Sequence, residues 1–270
     1  MKINAPFVEK ILTKFIREEL EKFHFKKGIL GLSGGLDSTV SAFLTAGALT
    51  PDKVLGVILP YGESFRLDVE DALEVAEQLA IRTETIDISP MVDAYFDLNP
   101  TENKILKGNK MARERMSILY DLSARGGALI IGTSNKTELL LGYGTIHGDM
   151  ASAINPLGDL YKSQVRQLAK HLGVPGRILK KKPTAGLWTG QTDEEELGLT
   201  YDRMDKILYQ LVDLRKSKKE IIEEGFEKDE VERISKMIID SEFKRKLPPI
   251  PKLSDRTVGH DFLYPYDWNK

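Results

Sequence analysis

The nine residues Gly31-Leu32-Ser33-Gly34-Gly35-Leu36-Asp37-Ser38-Thr39 leave this chain few ways to fold. A short apolar run, Gly28-Ile29-Leu30, leads into them, and an apolar-periodic segment, Val40 to Leu49, follows. That order reads as strand, glycine turn and helix. Such a turn gathers backbone N–H groups and the hydroxyls of Ser33 and Ser38 at a helix N-terminus, which suits an anion such as phosphate. The spacing is not that of a Walker A loop, which needs Gly-Lys-Ser/Thr, nor that of the G-x-G-x-x-G turn. Asp37 stands where a Walker loop has its lysine, and a carboxylate there points to a polyphosphate bridged by a metal ion. An ordinary strand-to-helix turn with Ser and Asp as caps is the competing description.

The flanking segments extend the same pattern. Phe7 to Phe23 carries apolar residues at helical spacing. After Pro51, the unbroken apolar run Val54 to Leu59 predicts a buried parallel strand. Asp68 to Leu79 predicts an amphipathic helix, and Thr83 to Ile88 a third strand. Ser89-Pro90 predicts a helix start with Ser89 as its cap. Ala112 to Ser123 reads as a helix and Ala128 to Thr133 as a fourth strand. Strands alternating with helices predict an α/β fold, a doubly wound, Rossmann-like parallel sheet with ligands at the carboxyl ends of the strands. Ser33 and Thr133 would then face one pocket.

Beyond Asn135 the periodicity lapses into a glycine-spaced loop, Gly142 to Asp149. Tyr161 to Leu172 returns to helical spacing, and the turn-rich stretch Thr184 to Glu194 predicts a mobile flap. Met204 to Leu214 and Asp229 to Ile239 predict additional C-terminal helices. Residues 1–251 read as a single domain and 252–270 as an extended tail.

Bulk composition narrows the partners. Lys+Arg 39 against Asp+Glu 41 gives a net charge of -2, so nothing in the charge calls for nucleic acid. No apolar run approaches the ~18–20 residues that cross a bilayer. The N-terminus leads into an amphipathic helix and not a signal-peptide core, and cysteine is absent, so a soluble cytoplasmic protein is expected. His24, His147, His171 and His260 lack ligand spacing, which speaks against a histidine-built metal site.

The glycine turn resembles the PP-loop, SGGxDS, of the ATP pyrophosphatase superfamily, whose members attach AMP to a substrate oxygen and release pyrophosphate. The second half of the chain selects among them. Gly132-Thr133-Ser134-Asn135-Lys136-Thr137-Glu138, Gly142-Tyr143, Thr145, Gly148-Asp149, Pro156-Leu157 and Lys162 resemble ammonia-dependent NAD synthetases. So do Lys182-Pro183-Thr184-Ala185, Gly190-Gln191-Thr192-Asp193-Glu194 and Lys244-Arg245-Lys246-Leu247-Pro248-Pro249. The similarity runs from about Val8 to Pro251.

The resemblance implies two reactions at one site. The nicotinate carboxylate of deamido-NAD attacks the α-phosphorus of ATP; ammonia then displaces AMP from the adenylate. It further implies that Gly31, Leu32, Ser33, Gly34, Gly35, Leu36, Asp37 and Ser38 cradle ATP, and that Arg66, Thr133, Lys162 and Thr184 also contact it. Asp37 and Glu138 would bind Mg²⁺, which hard oxygen donors suit, although Asn135-x-x-Glu138 is equally a helix-capping box. Arg113 and Lys244 would contact the acid; Arg113 has the alternative of a surface ion pair. Asp149 would deprotonate ammonium or orient ammonia, or else is only a turn residue. Lys162 would serve catalysis as well as ATP binding. A homodimer is implied. With no cysteine nucleophile to release ammonia from glutamine, free ammonia or a separate glutaminase subunit would supply it.

The chain departs from the family pattern on the acid side. Where members usually read Gly-Tyr-x-Thr-Lys-Tyr-Gly-Asp, this chain has Ile146 and His147. An Asp usually stands where it has Ala153, and a His where it has Phe243. Each lost polar contact is worth about 1–3 kcal/mol in a desolvated pocket. A reshaped acid pocket is therefore expected, with the same chemistry on a different carboxylate as the alternative. A non-catalytic ATP-binding regulator is weaker, because Asp37, Glu138, Lys162 and Thr184 are all present.

Overall fold

The computed structural model describes residues 1–62, 66–184, 186–188 and 190–262. Four parallel strands, β1 (Lys27–Gly31), β2 (Val54–Ile58), β3 (Arg82–Thr85) and β4 (Ala128–Ile130), lie in the order β3-β2-β1-β4. The chain steps outward from β1 through β2 to β3, then crosses back to place β4 on the other side of β1. That reversal opens a crevice at the carboxyl ends of β1 and β4, the point in such sheets where ligands bind.

Both faces of the sheet are covered at β1, β2 and β4, which is why those strands read as unbroken apolar runs. Helices α1 (Ala5–Lys22), α2 (Leu36–Ala48) and α3 (Arg66–Leu79) pack on one face around Ile16, Leu20, Leu30, Val40, Leu44 and Val75. Helices α4 (Ser89–Leu98) and α5 (Lys104–Gly126) cover the other around Ile29, Val57, Val92, Met111, Met116 and Leu119. Beyond β4 come α6 (Lys136–Leu141), α7 (Lys162–Leu172), α8 (Gly176–Lys180), α9 (Asp193–Leu197), α10 (Tyr201–Leu208), α11 (Lys218–Glu223) and α12 (Lys228–Asp240). Helix α7 joins the first face, whereas α6, α9, α10, α11 and α12 share a separate cluster around Tyr201, Met204, Ile207, Ile221 and Ile234.

Several boundaries differ from the sequence-based expectation, each for a local reason. Ser89 does not cap α4: Asp87 Oδ1 accepts from the Ser89 backbone N–H at 2.9 Å and from its hydroxyl at 2.6 Å. Helix α5 begins at Lys104, ahead of Ala112, because the Asn103 side chain accepts from the N–H groups of Ile105 and Leu106. The third strand stops at Thr85; it is an exposed edge, and Ile88 is buried beyond it. Met204 to Leu214 is split between α10 and a π-helical turn, Tyr209–Asp213. The short helices α8, α9 and α11 carry too few turns for an apolar period to show. In the tail, residues 252–262 include a turn that brings Val258 opposite Phe262; the remainder lies outside the described residues.

Candidate active site

The glycine turn follows β1 and its last residues form the first turn of α2. Ser38 Oγ donates to the Gly35 carbonyl at 3.1 Å and accepts from the Ser33 N–H at 3.2 Å. The Ser33 hydroxyl accepts from the Gly35 N–H at 3.3 Å. The two serines thus fix the curl of the loop from inside. Gly34 has φ +71°, and a Cβ there would lie 2.2 Å from the Asp68 carbonyl oxygen of α3. Gly34→Ala therefore combines left-handed strain with a backbone clash, costing about 1–3 kcal/mol. A lowered melting temperature together with weakened ATP binding in a titration is the expected result.

A cavity of about 550 Å³ opens over this loop, in the crevice the strand order creates. Gly31, Leu32, Ser33, Gly35, Leu36, Asp37 and Ser38 line it, as do Thr133, Glu138, Asp149, Lys162, Thr184 and Lys244. Three sequence-predicted residues fall outside the lining. Gly34 faces α3 and gives its carbonyl to Lys181 Nζ at 3.3 Å. Arg66 is exposed and pairs with Glu70 at 3.2 Å. Arg113, also exposed, donates from Nε to the Ile146 carbonyl at 3.2 Å. Ala185, named in the family motif, lies outside the described residues.

Beside the glycine turn, Lys162 is 3% exposed and its ammonium bridges the Asp37 and Glu138 carboxylates, 3.1 Å from Glu138 Oε1. Burial opposes the lysine's charge, but the two carboxylates hold its pKa above the usual lysine range. Burial pushes the Glu138 carboxyl up, against the pull of Lys162. The backbone explains how these groups meet. Asn135 Oδ1 accepts from the Glu138 N–H at 3.0 Å, and Glu138 Oε2 accepts from the Asn135 N–H at 3.2 Å. This is the capping box the spacing allows, and it uses only one carboxylate oxygen. The other faces Lys162, so capping and site roles coexist in one residue. Asn135 Nδ2 also donates to Asp37 Oδ1 at 3.0 Å, which ties the two carboxylates together.

Lys162 is the first residue of α7, and the C-terminal helices hold that end in place. Asp205 of α10, fully buried, accepts from the Ser163 N–H at 2.8 Å and from the Thr137 hydroxyl at 2.6 Å. Thr137 Oγ1 in turn accepts from the Lys162 N–H at 3.0 Å. Asn135 and Thr137 stand in the block 132–138 that carries the resemblance, without a role assigned to them beyond the Asn–Glu spacing, and the sequence gives no signal for Asp205.

Elsewhere on the lining, Asp149 Oδ1 accepts from the Thr145 N–H at 2.8 Å, as a turn residue does. Its side chain opens on the cavity, and desolvation by the protein around it pushes its pKa up. Lys244 lines the cavity but spends its ammonium on the carbonyls of Gly142 and Gly144, at 2.7 and 2.9 Å. Its immediate role is thus to hold the glycine loop. Arg115, unremarked in the sequence, lines the wall; its Nε donates to the Leu59 carbonyl at 2.9 Å. Burial lowers the Arg115 pKa to about 10, against the attraction of Asp149. Ile146, His147, Ala153 and Phe243 do not line the cavity, and Phe243 is 61% exposed. The departures from the family pattern therefore leave the walls of this cavity intact.

Comparison with known proteins agrees with this arrangement. Residues 8–248 match the family model for NAD synthase. The NH(3)-dependent NAD(+) synthetase of Chlorobium phaeovibrioides is 51% identical over 99% of this chain and 97% of the relative. That of Trichlorobacter lovleyi is 50% identical over 100% and 99%. Among solved structures, the NMN synthetase of Francisella tularensis superposes with a TM-score of 0.82 at 36% identity, covering 93% of this chain and 99% of that one. The NH3-dependent NAD synthetase of Campylobacter jejuni does so with 0.80 at 33%, covering 93% and 100%. With a matched family model over residues 8–248 and half-identical relatives covered over nearly their whole length, this chain belongs to the NAD synthase family.

Proposed function

We infer that this chain is an ammonia-dependent ligase that uses ATP to convert deamido-NAD to NAD. The observation that carries this is identity of about half the residues with NH(3)-dependent NAD(+) synthetases over essentially the whole chain. The carboxylate of the acid is a poor acyl donor, because its leaving group would be oxide. Transfer of AMP to one of its oxygens supplies a better leaving group, and ammonia then attacks the acyl carbon and releases AMP.

The protein's part is mostly placement and charge. The N–H groups and serine hydroxyls of residues 33–38 cradle the phosphates, Thr133 and Thr184 contact the nucleotide, and Lys162 balances charge on the departing pyrophosphate. Arg66 and Arg113 are proposed contacts for ATP and the acid respectively. Lys244 serves the acid by holding the 142–149 loop. Asp149 orients or deprotonates the incoming nitrogen.

Asp37 and Glu138 are proposed to hold Mg²⁺. Their fit rests on geometry: both carboxylates already converge on one cation, the Lys162 ammonium. Among the described residues no cluster of three or more acidic, His or Cys side chains is placed to hold a metal unaided. Phosphate oxygens and water must complete the shell, as is usual for this ion. Bound there, Mg²⁺ would neutralise charge on the phosphates. Wild-type protein is accordingly expected to bind Mn²⁺, used as a paramagnetic probe, only when ATP is present, as read by electron paramagnetic resonance.

Helix α4 and the start of α5 leave Tyr95, Leu98, Ile105 and Leu106 exposed, which supports a homodimer packed through that side; light scattering measures it. No described helix is long and apolar enough to cross a membrane. A cytoplasmic enzyme taking free ammonia, or ammonia from a separate glutaminase, suits a chain without cysteine. Exchange of labelled pyrophosphate into ATP, screened across acids, tests the whole reading. Exchange with deamido-NAD and NAD formation on adding ammonia are expected. Exchange only with another carboxylate would replace the substrate, and no exchange with any acid would leave only nucleotide binding.

A further inference from the structure

A third carboxylate belongs to the Lys162 environment. Asp193 opens α9, is 3% exposed and lines the cavity. Its Oδ2 accepts from the Tyr201 hydroxyl at 2.9 Å, and its Oδ1 lies 3.0 Å from the Tyr143 hydroxyl, whose one proton it shares with Glu196 Oε2 at 2.8 Å. Tyr201 is fully buried, and its ring lies 5.0 Å from the Lys162 ammonium, within cation–π range. The charges of Asp193 and Lys162 attract one another through this tyrosine-lined wall.

Asp193 is also where the 183–193 flap returns to the body. Its backbone N–H donates to the Pro183 carbonyl at 3.1 Å, which pinches the ends of the segment together. Inside the segment, the Leu187 N–H donates to Gln191 Oε1 at 2.9 Å, and Gln191 Nε2 donates to Glu196 at 3.0 Å. The Leu187 side chain sits in the notch left by Gly108 of α5, where a Cβ would come within 2.7 Å of it. Thr184, Leu187 and Trp188 thereby face the cavity.

A buried carboxylate is costly unless it is hydrogen-bonded and sits near a cation. The Tyr201 hydroxyl, with a share of the Tyr143 hydroxyl, meets the first need and Lys162 the second. A residue serving only to start a five-residue helix would not require a charge at this depth. Asp37 and Glu138 touch Lys162 directly but also point at the phosphate end; Asp193 makes no hydrogen bond or ion pair with either. It is therefore an anionic neighbour of the lysine whose own bonds are independent of those two.

We propose that Asp193 is a positioning residue for adenylation: from the base of the flap its carboxylate steadies the Lys162 ammonium, so that seating the flap and placing the lysine are one event. This rests on the ligase reading of the site. The test uses the full chain carrying Trp268→Phe, which leaves Trp188 as its single tryptophan and a reporter of the flap. In that background Asp193→Asn is compared with Asp193→Glu, which keeps the charge. Asp193→Asn is expected to raise about tenfold the ATP concentration that half-saturates the Trp188 fluorescence change, with an equal fall in kcat/KM for ATP in pyrophosphate exchange. Asp193→Glu should recover most of both.

Wild-type titration and kinetics in Asp193→Asn overturn the proposal. So does an equal loss in both variants that follows a drop in melting temperature, since a packing role produces that pattern. Should Asp193→Asn fail to fold, Tyr201→Phe, which removes one bond to Asp193 and keeps the ring, should shift the titration about threefold; no shift overturns the proposal. Absence of exchange in the parent enzyme would sink the ligase reading, while the fluorescence titration would still decide the place of Asp193.

Discussion

Lys162→Met is expected to lower pyrophosphate exchange by about 10²–10³-fold, the usual cost of removing a group aimed at charge that develops in the transition state. It is also expected to destabilise the ligand-free protein by about 3–5 kcal/mol, because Asp37 and Glu138 then remain partly buried without their cation. The two effects separate by pH. Burial already raises the Glu138 pKa in the folded protein, and loss of the ammonium removes the main influence opposing that rise. A carboxyl with a raised folded pKa contributes stability that is complete below its unfolded value, about 4.3, and is lost as pH climbs through the folded value. The variant's deficit should thus be small near pH 5 and grow towards pH 8, in denaturant melts compared with wild type. A deficit independent of pH would mean that the carboxylates do not depend on Lys162 for their charge.

The parts of this molecule that were legible in the sequence are those with a period or a fixed turn chemistry. The apolar runs at Ile29, Val57 and Ile130 announce buried parallel strands because both faces of each strand are covered. The glycine turn announces itself because Gly34 has no side-chain-bearing substitute at φ +71° beside the α3 backbone. Asp37, Glu138 and Lys162 came from resemblance, and their meeting at one ammonium depends on contacts spanning 125 and 24 positions. No local pattern encodes such a contact. Asp205 makes the point more sharply: a carboxylate on an otherwise apolar helix face reads as solvated, yet it is fully buried and caps the helix that carries Lys162. Ile146, Ala153 and Phe243 occupy motif positions yet sit off the cavity wall, and motif position alone does not tell which way a side chain faces.

Asp149→Asn should separate the two chemical steps, with amide formation falling about 10²-fold or more and pyrophosphate exchange changing by less than about threefold. Asparagine keeps an oxygen that can accept from the Thr145 N–H, so the turn survives and only the charge is lost. That charge acts on Arg115 and Lys244. Ammonia exists mostly as ammonium at neutral pH, and a carboxylate whose pKa is raised by desolvation both attracts the cation and accepts its proton more readily than an ordinary one. Separate assays of exchange without ammonia and of NAD formation with it measure the two steps. Equal loss in both would place Asp149 in the scaffold of the loop and leave the attacking nitrogen without a protein base.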